Sequence, residues 1–359
     1  MIFFSATDVG GARAIIPVLD ELQKRAVPFC IMDEGVLSTE SNSSYRRIPL
    51  STLETEESFK LFLQRECIDL VCVGTAVKKR LPIYHSVWAS DLNVPSVAIL
   101  DNWMNYRQRF VLSNKEVVFP DYYFVMDQLA FDDARREGIP ASILKITGHP
   151  GLASLAVEAK AYYQKNSTRE VVSSLRFVFI SEPAAVDHGT HASVKTYRGY
   201  TEFDVLKLIS DFFAHQKIGC ELIIAPHPRE DRTALQLFCS EVFPPSIRWS
   251  LSNYTRGRDA IFEADGVIGM TSILLYEAWL LGLPVMSLQP NLRGGGASHF
   301  LERKGCCCVT KEERIQAALD QWIDRVMQET QRTGCFQSDL LLHRSAPKLI
   351  SQYLVEISS

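Results

Sequence analysis

Between Asp265 and Leu288 the chain reads DGVIGMTSILLYEAWLLGLPVMSL, and Thr271-Ser272 stand where the short apolar strand DGVIG gives way to a helix. The first turn of a helix has N–H groups without helical partners and carries the positive end of the helix dipole. Small hydroxyl residues there make a seat for an anion such as phosphate. Glu277 falls in the second turn, beside the apolar run Ala278-Trp279-Leu280-Leu281. A carboxylate so placed can accept hydrogen bonds from both hydroxyls of a ribose whose phosphates rest at the helix start. Upstream, Pro226-His227-Pro228-Arg229-Glu230 follows the strand CELIIA. The prolines stiffen the turn and aim His227, which can bond a diphosphate or move a proton, while Arg229 can clamp an oxyanion. Glu182, in Ser181-Glu182-Pro183 after the strand RFVFIS, adds a carboxylate that is expected on the nucleotide side.

The first half offers a second group. Thr7-Asp8-Val9-Gly10-Gly11-Ala12-Arg13 follows the first strand and opens a helix. Gly10 and Gly11 allow close backbone approach to a ligand, and Arg13 could face a phosphate. The loop is not GxGxxG, so it does not read as a dinucleotide fingerprint. Asp8 is expected in the crevice at a strand's carboxyl end, where parallel sheets bind ligands. The loop Asp101-Asn102-Trp103-Met104-Asn105-Tyr106-Arg107 follows the strand VPSVAIL. Its carboxylate, amides and aromatic rings are the mixture that binds sugars, with Asn102 among the candidates. His188 and His191 lie in a glycine-containing loop without a convergent Asp, Glu or Cys cluster, so no metal site is expected.

Short apolar strands separated by amphipathic helices must position these loops. That alternation points to an α/β protein whose parallel sheets are covered on both faces. It runs from MIFFSA to DYYFVMD, then restarts at RFVFISE after the polar segment AKAYYQKNSTREVVSS. Two Rossmann-like domains facing a central cleft are expected: 1–150, a linker over 151–175, and 176–335. A last helix over 336–359 would pack back across the junction.

At 359 residues the chain suits two domains. A net charge of -4 gives no electrostatic case for nucleic acid or an anionic membrane. No apolar run approaches the length of a membrane span, and the start lacks a signal peptide's basic flank. The nine cysteines are unpatterned, which reads as reduced thiols in a cytoplasm. Cys306-Cys307-Cys308 read as buried small side chains rather than metal ligands.

These motifs resemble the GT-B superfamily, which includes nucleotide-sugar glycosyltransferases and UDP-N-acetylglucosamine 2-epimerases. The pattern G-x-T/S-S-x-x-x-x-E-A-x-x-x-G-x-P-V is matched by Gly269, Thr271, Ser272, Glu277, Ala278, Gly282, Pro284 and Val285. Ile146-Thr147-Gly148-His149-Pro150 is similar to the V-T-G-N-P junction of that family, with His149 in place of Asn. The epimerases' G-T-R-P-E and S-G-G-x-x-E-E motifs are absent, although His227 matches their active-site histidine. The His-Pro pair also resembles bacterial sialyltransferases, and Asp33-Glu34-Gly35 fits their acidic-acidic-Gly motif in letters. The resemblance implies a metal-independent glycosyltransferase with a nucleotide-sugar co-substrate, an acceptor and no resident cofactor. Thr271 and Ser272 would hold the diphosphate, Glu277 the ribose, and His227 and Arg229 the leaving phosphate. Asp8, then Asp101, would be the base, and Gly10, Gly11, Arg13, Asn102 and His149 would face the acceptor or sugar. A 2-epimerase or hydrolase, a CMP-sialic-acid-type sialyltransferase and a non-catalytic nucleotide-binding protein remain alternatives.

Overall fold

The computed structural model describes residues 1–165, 174–216, 219–254, 256–294, 299–328 and 336–359. They divide into two units, Met1–Ser154 with Ser338–Ser359, and Leu155–Gln337.

The first unit holds β1 (Ile2–Ser5), β2 (Phe29–Asp33), β3 (Arg47–Pro49), β4 (Leu70–Gly74), β5 (Ser96–Ile99), β6 (Tyr122–Val125) and β7 (Leu144–Ile146). They form one parallel sheet in the order β3-β2-β1-β4-β5-β6-β7. Neighbouring residues on β1, such as Phe3 and Phe4, are both buried because helices cover both faces. The helix Val9–Lys24 buries Ala12, Ile15, Val18, Leu19 and Leu22, an apolar stripe at helical spacing. At Gly11 a side chain would lie 3.2 Å from the Gly74 backbone, so the two glycines let helix and strand touch.

The second unit holds β8 (Leu175–Ile180), β9 (Cys220–Ala225), β10 (Arg248–Leu251), β11 (Gly266–Gly269), β12 (Val285–Leu288) and β13 (Cys307–Val309). Their order is β10-β9-β8-β11-β12-β13, again parallel throughout. The helix Ile273–Leu280 ends at Gly282, whose φ of 76° closes the turn while Leu283 N–H donates to Ala278 O.

Each sheet therefore reverses its strand order once, between β1 and β4 in the first unit and between β8 and β11 in the second. Loops after those strands border a crevice at the carboxyl ends. The segment expected as a linker begins instead with a helix, Leu155–Lys165, that belongs to the second unit and buries Leu155 and Ala159. Its amphipathic stripe is too sparse to show in a polar sequence; residues 166–173 of the same expected linker lie outside the described residues. The helix Asp339–Ile357 belongs to the first unit, where Phe124 and Tyr353 meet at 5.7 Å. Among the described residues no helix is long and apolar enough to cross a membrane.

Candidate functional site

In the first unit the switch point gathers Asp8, Gly10, Thr75, Asp101 and Arg109. Asp8 begins the helix Val9–Lys24 in extended conformation. Asp101 packs over the helix start, where a side chain on Gly10 would lie 2.0 Å from Asp101 Oδ2. Arg109 donates to Asp101 Oδ1 at 2.6 Å, to Thr75 Oγ1 at 2.9 Å and to Thr75 O at 3.2 Å. The two side chains of this ion pair are only 5% and 9% exposed, so the pair is held out of water. Asp8 keeps an exposed face, yet the surrounding protein desolvates its carboxyl and raises its pKa. The charge of Asp101 raises it further, against Arg109 and the N–H groups of Gly10 and Val9. Arg109 lies two residues beyond the loop read from the sequence, and its partnership with Asp101 has no local signature.

Other expected groups of this unit are occupied differently. Arg13 forks onto Glu40, at 2.9 and 2.6 Å. A side chain added at Gly11 would meet Gly74, and one added at Gly10 would meet Asp101. His149 is buried, donates from Nε2 to the Asp101 carbonyl at 2.9 Å and stacks on Trp103 at 6.0 Å. Its backbone N–H donates to Nδ1 of His343, on the helix Asp339–Ile357, at 3.0 Å. It therefore ties the Asp101 loop to that helix. Trp103 is fixed through Nε1, which donates to Asp127 at 2.8 Å. Asn102 is half-buried, and its Oδ1 has no hydrogen-bond partner among the described residues. Asp33 receives Ser38 and lies 3.8 Å from Arg47.

In the second unit Thr271 and Ser272 follow β11, and Ser272 caps the helix Ile273–Leu280 by accepting from Leu274 N–H at 3.3 Å. The loop is pinned from behind, where Ser287 donates to Met270 O at 2.5 Å. Glu182, from the loop after β8, lies directly on the seat. Its carboxylate accepts the Thr271 N–H at 2.6 Å and the Thr271 hydroxyl at 2.7 Å. Burial raises its pKa, while the two Thr271 bonds, the charge of Arg198 and the Ser272 N–H act against that.

His227 accepts the Arg229 N–H on Nδ1 at 3.1 Å, so the neutral ring carries its proton on Nε2. Burial and then the charge of Arg229 lower its pKa. Glu230 pins this turn by accepting Ser181 Oγ at 2.6 Å and the His227 N–H. Burial pushes the Glu230 carboxyl up to about 7. Arg229 is not a free clamp: its guanidinium grips both oxygens of Asp187, at 2.8 and 2.6 Å. Glu277, expected at a ribose, has a partner of its own. It is buried, and Arg258 donates to both its oxygens, at 2.6 and 3.1 Å. Arg258 also reaches Glu158 at 3.3 Å, so the apolar sequence context marks a buried ion network. Among the described residues no group of three or more His, Cys, Asp or Glu could hold a metal ion. Burial pushes the thiols of Cys306 and Cys308 up to about 12.

No protein-family model matches the sequence, and no curated protein matches it. Solved structures do match over nearly its whole length. UDP-GlcNAc 2-epimerase from Neisseria meningitidis, bound to UDP-GlcNAc, is similar with a TM-score of 0.66 at 16% identity, over 99% of each chain. MurG of Acinetobacter baumannii gives 0.60 at 11% identity, over 99% of each chain. HepE of Anabaena, in complex with UDP, gives 0.58 at 14% identity, over 99% of this chain and 98% of that one. The chain has the GT-B fold, with two Rossmann-like units.

Proposed function

We propose that this GT-B-fold chain is a cytoplasmic, metal-independent glycosyltransferase that takes a nucleotide sugar as donor and a glycan or small molecule as acceptor. The observation that carries the reading is the seat after β11, where an N–H and a hydroxyl of Thr271 already hold the oxygens of the Glu182 carboxyl group. The UDP and UDP-GlcNAc complexes among the similar structures support a nucleoside diphosphate as the class of ligand. Thr271 and Ser272 receive the diphosphate, and the Nε2–H of His227 donates to the leaving phosphate as the glycosyl bond breaks. Asp8 is the base that takes a proton from the acceptor hydroxyl. Its raised pKa suits that role, and Asp101 is committed to Arg109. Arg109 orients Asp101 and moderates the field at Asp8.

A thermal-shift screen of UDP, GDP, CDP, CMP and TDP tests the reading, because a ligand that binds the folded state raises its melting temperature by mass action. Silence with every nucleotide overturns it. The second reading, a UDP-sugar 2-epimerase, is favoured by His227 and by the epimerase among the similar structures. Deuterium uptake from solvent at C2 of the sugar selects the epimerase, and acceptor-dependent nucleotide release selects the transferase.

A further inference from the structure

Arg109 holds Thr75, just past the end of β4, through both its carbonyl and its hydroxyl. From there the chain runs Ala76-Val77-Lys78-Lys79-Arg80 into the helix Leu81–Ser90. The first turn of that helix holds no acidic residue, and among the described residues none of the three consecutive cations forms an ion pair. Adjacent like charges repel, so the run costs free energy that a bound anion would recover. Two of the three are more than a solvated fringe. Lys79 and Arg80 line a small recess together with Thr75, Ile83, Arg109 and Phe110, and Arg80 is half-buried. The apolar walls weaken solvent screening of the charges beside them. Arg109 is committed to Asp101, which leaves Lys79 and Arg80 as the uncompensated charges of the recess. The recess adjoins the loop of Asp8. Ser5 pairs with Val73, so the loops leaving β1 and β4 start side by side, and Thr7 Oγ1 donates to Lys79 O at 2.9 Å.

We infer that Lys79 and Arg80 bind a phosphate group carried by the acceptor, and that they hold it in this recess while the acceptor hydroxyl lies at Asp8. The inference rests on the proposed function for the acceptor and for Asp8, whereas the phosphate site rests on the recess and its two cations. A phosphate monoester carries close to two negative charges at neutral pH and matches the pair. A carboxylate would leave one cation uncompensated. The donor's phosphates belong to the other unit in this reading, so the chain would handle two separate phosphorylated molecules. The carrier of the acceptor phosphate is either a sugar or a lipid, and the two present the same group to Lys79 and Arg80.

Isothermal titration of the full chain with glucose 1-phosphate, a short-chain phosphatidic acid and glucose tests this on the parent, Lys79→Gln, Arg80→Gln and the double variant. Lys145→Gln, at an exposed position of the same unit, controls for net charge, and thermal unfolding checks each fold. The parent is expected to bind a phosphate ester and to ignore glucose, and the tighter ester names the carrier. Each single variant should weaken that binding by about tenfold and the double variant should abolish it, while Lys145→Gln leaves it unchanged. If the double variant does not fold, the single ones decide. Absence of binding by both esters, parental affinity in the Lys79 and Arg80 variants, or equal weakening by Lys145→Gln overturns the inference. UDP, titrated in parallel, separates the two claims. Ester binding that depends on Lys79 and Arg80, with no response to UDP, removes the nucleotide reading and leaves the site. Firm UDP binding without that ester dependence does the reverse.

Discussion

Arg258 holds Glu277 from two directions, with Nε on Oε2 at 2.6 Å and a terminal nitrogen on Oε1 at 3.1 Å, in a place where the carboxylate side chain is only 6% exposed. Removing one member leaves a buried charge uncompensated, whereas removing both does not. Arg258→Met is therefore expected to cost about 3–5 kcal/mol of stability in urea unfolding. Adding Glu277→Met to it should recover most of that loss. A single variant as stable as the parent, or a double variant no better than the single one, would show the pair to be dispensable.

The carboxylates of the first unit allow a titration test. Asp101 raises the pKa of Asp8 and Arg109 lowers it. Asp101→Asn should shift the Asp8 carboxyl resonance to titrate at lower pH, and Arg109→Met should shift it higher, as followed by carbon NMR. If Asp8 is the base, Asp8→Asn should lower kcat by roughly 10²- to 10⁴-fold. An Asp8 resonance deaf to both changes would remove the electrostatic case for that assignment.

Much of this architecture is legible in the amino-acid order, for a physical reason. Strands such as Ile2–Ser5 and Leu70–Gly74 are buried on both faces, so they appear as unbroken apolar runs. The edge strand Arg248–Leu251 alternates exposed and half-buried residues, and it shows no such run. Asp8, Glu182 and Thr271 could be marked because polar residues just after parallel strands border a crevice. What each one touches could not. Arg258 reaches Glu277 from another helix, and Arg109 lies just past the loop that holds Asp101; residue spacing carries no record of either pairing. Glu277 is an instance: its apolar neighbours signal burial, and Arg258 shares that burial unannounced.

His85 links pH to stability. It is fully buried, with Nδ1 at 2.8 Å from Ser5 Oγ and Nε2 at 2.9 Å from Leu53 O, and burial lowers its pKa to about 4 from an ordinary 6.5. Above pH 6.5 the ring is neutral in both the folded and the unfolded chain. As pH falls from 6.5 towards 4, the unfolded chain takes up a proton that the folded chain refuses, so stability drops. The loss should amount to on the order of 3 kcal/mol across that window. His85→Gln should flatten this part of the stability profile relative to the parent. Parallel profiles for the two proteins would refute the assignment.

Gly74 tests how tightly the first unit is built. A methyl group there would lie 2.9 Å from the backbone carbon of Gly11 and 3.0 Å from the Ala6 side chain. Backbone cannot yield as the tip of a long side chain can, so Gly74→Ala should destabilise by about 1–3 kcal/mol. Gly138→Ala is the informative comparison: no atom lies near its added carbon, and only its φ of 88° opposes the change. Equal stability of Gly74→Ala and the parent would mean that the helix and strand do not meet as closely as described.

The helix Asp339–Ile357 packs in the unit that begins at Met1, and all of Leu155–Gln337 lies between them in the chain. During synthesis, then, the first sheet waits for its last helix. His149 has no His343 to receive its N–H, and the surface that will carry Leu340, Ile350 and Leu354 stays wet until the ribosome has made everything in between. At the usual pace of translation that interval is on the order of ten seconds or more. The second unit is made in one stretch and can close first. The sheet that begins at Met1 is thus sealed after residues made later in the chain, and a nascent chain stalled before residue 338 would hold one finished unit and one open one.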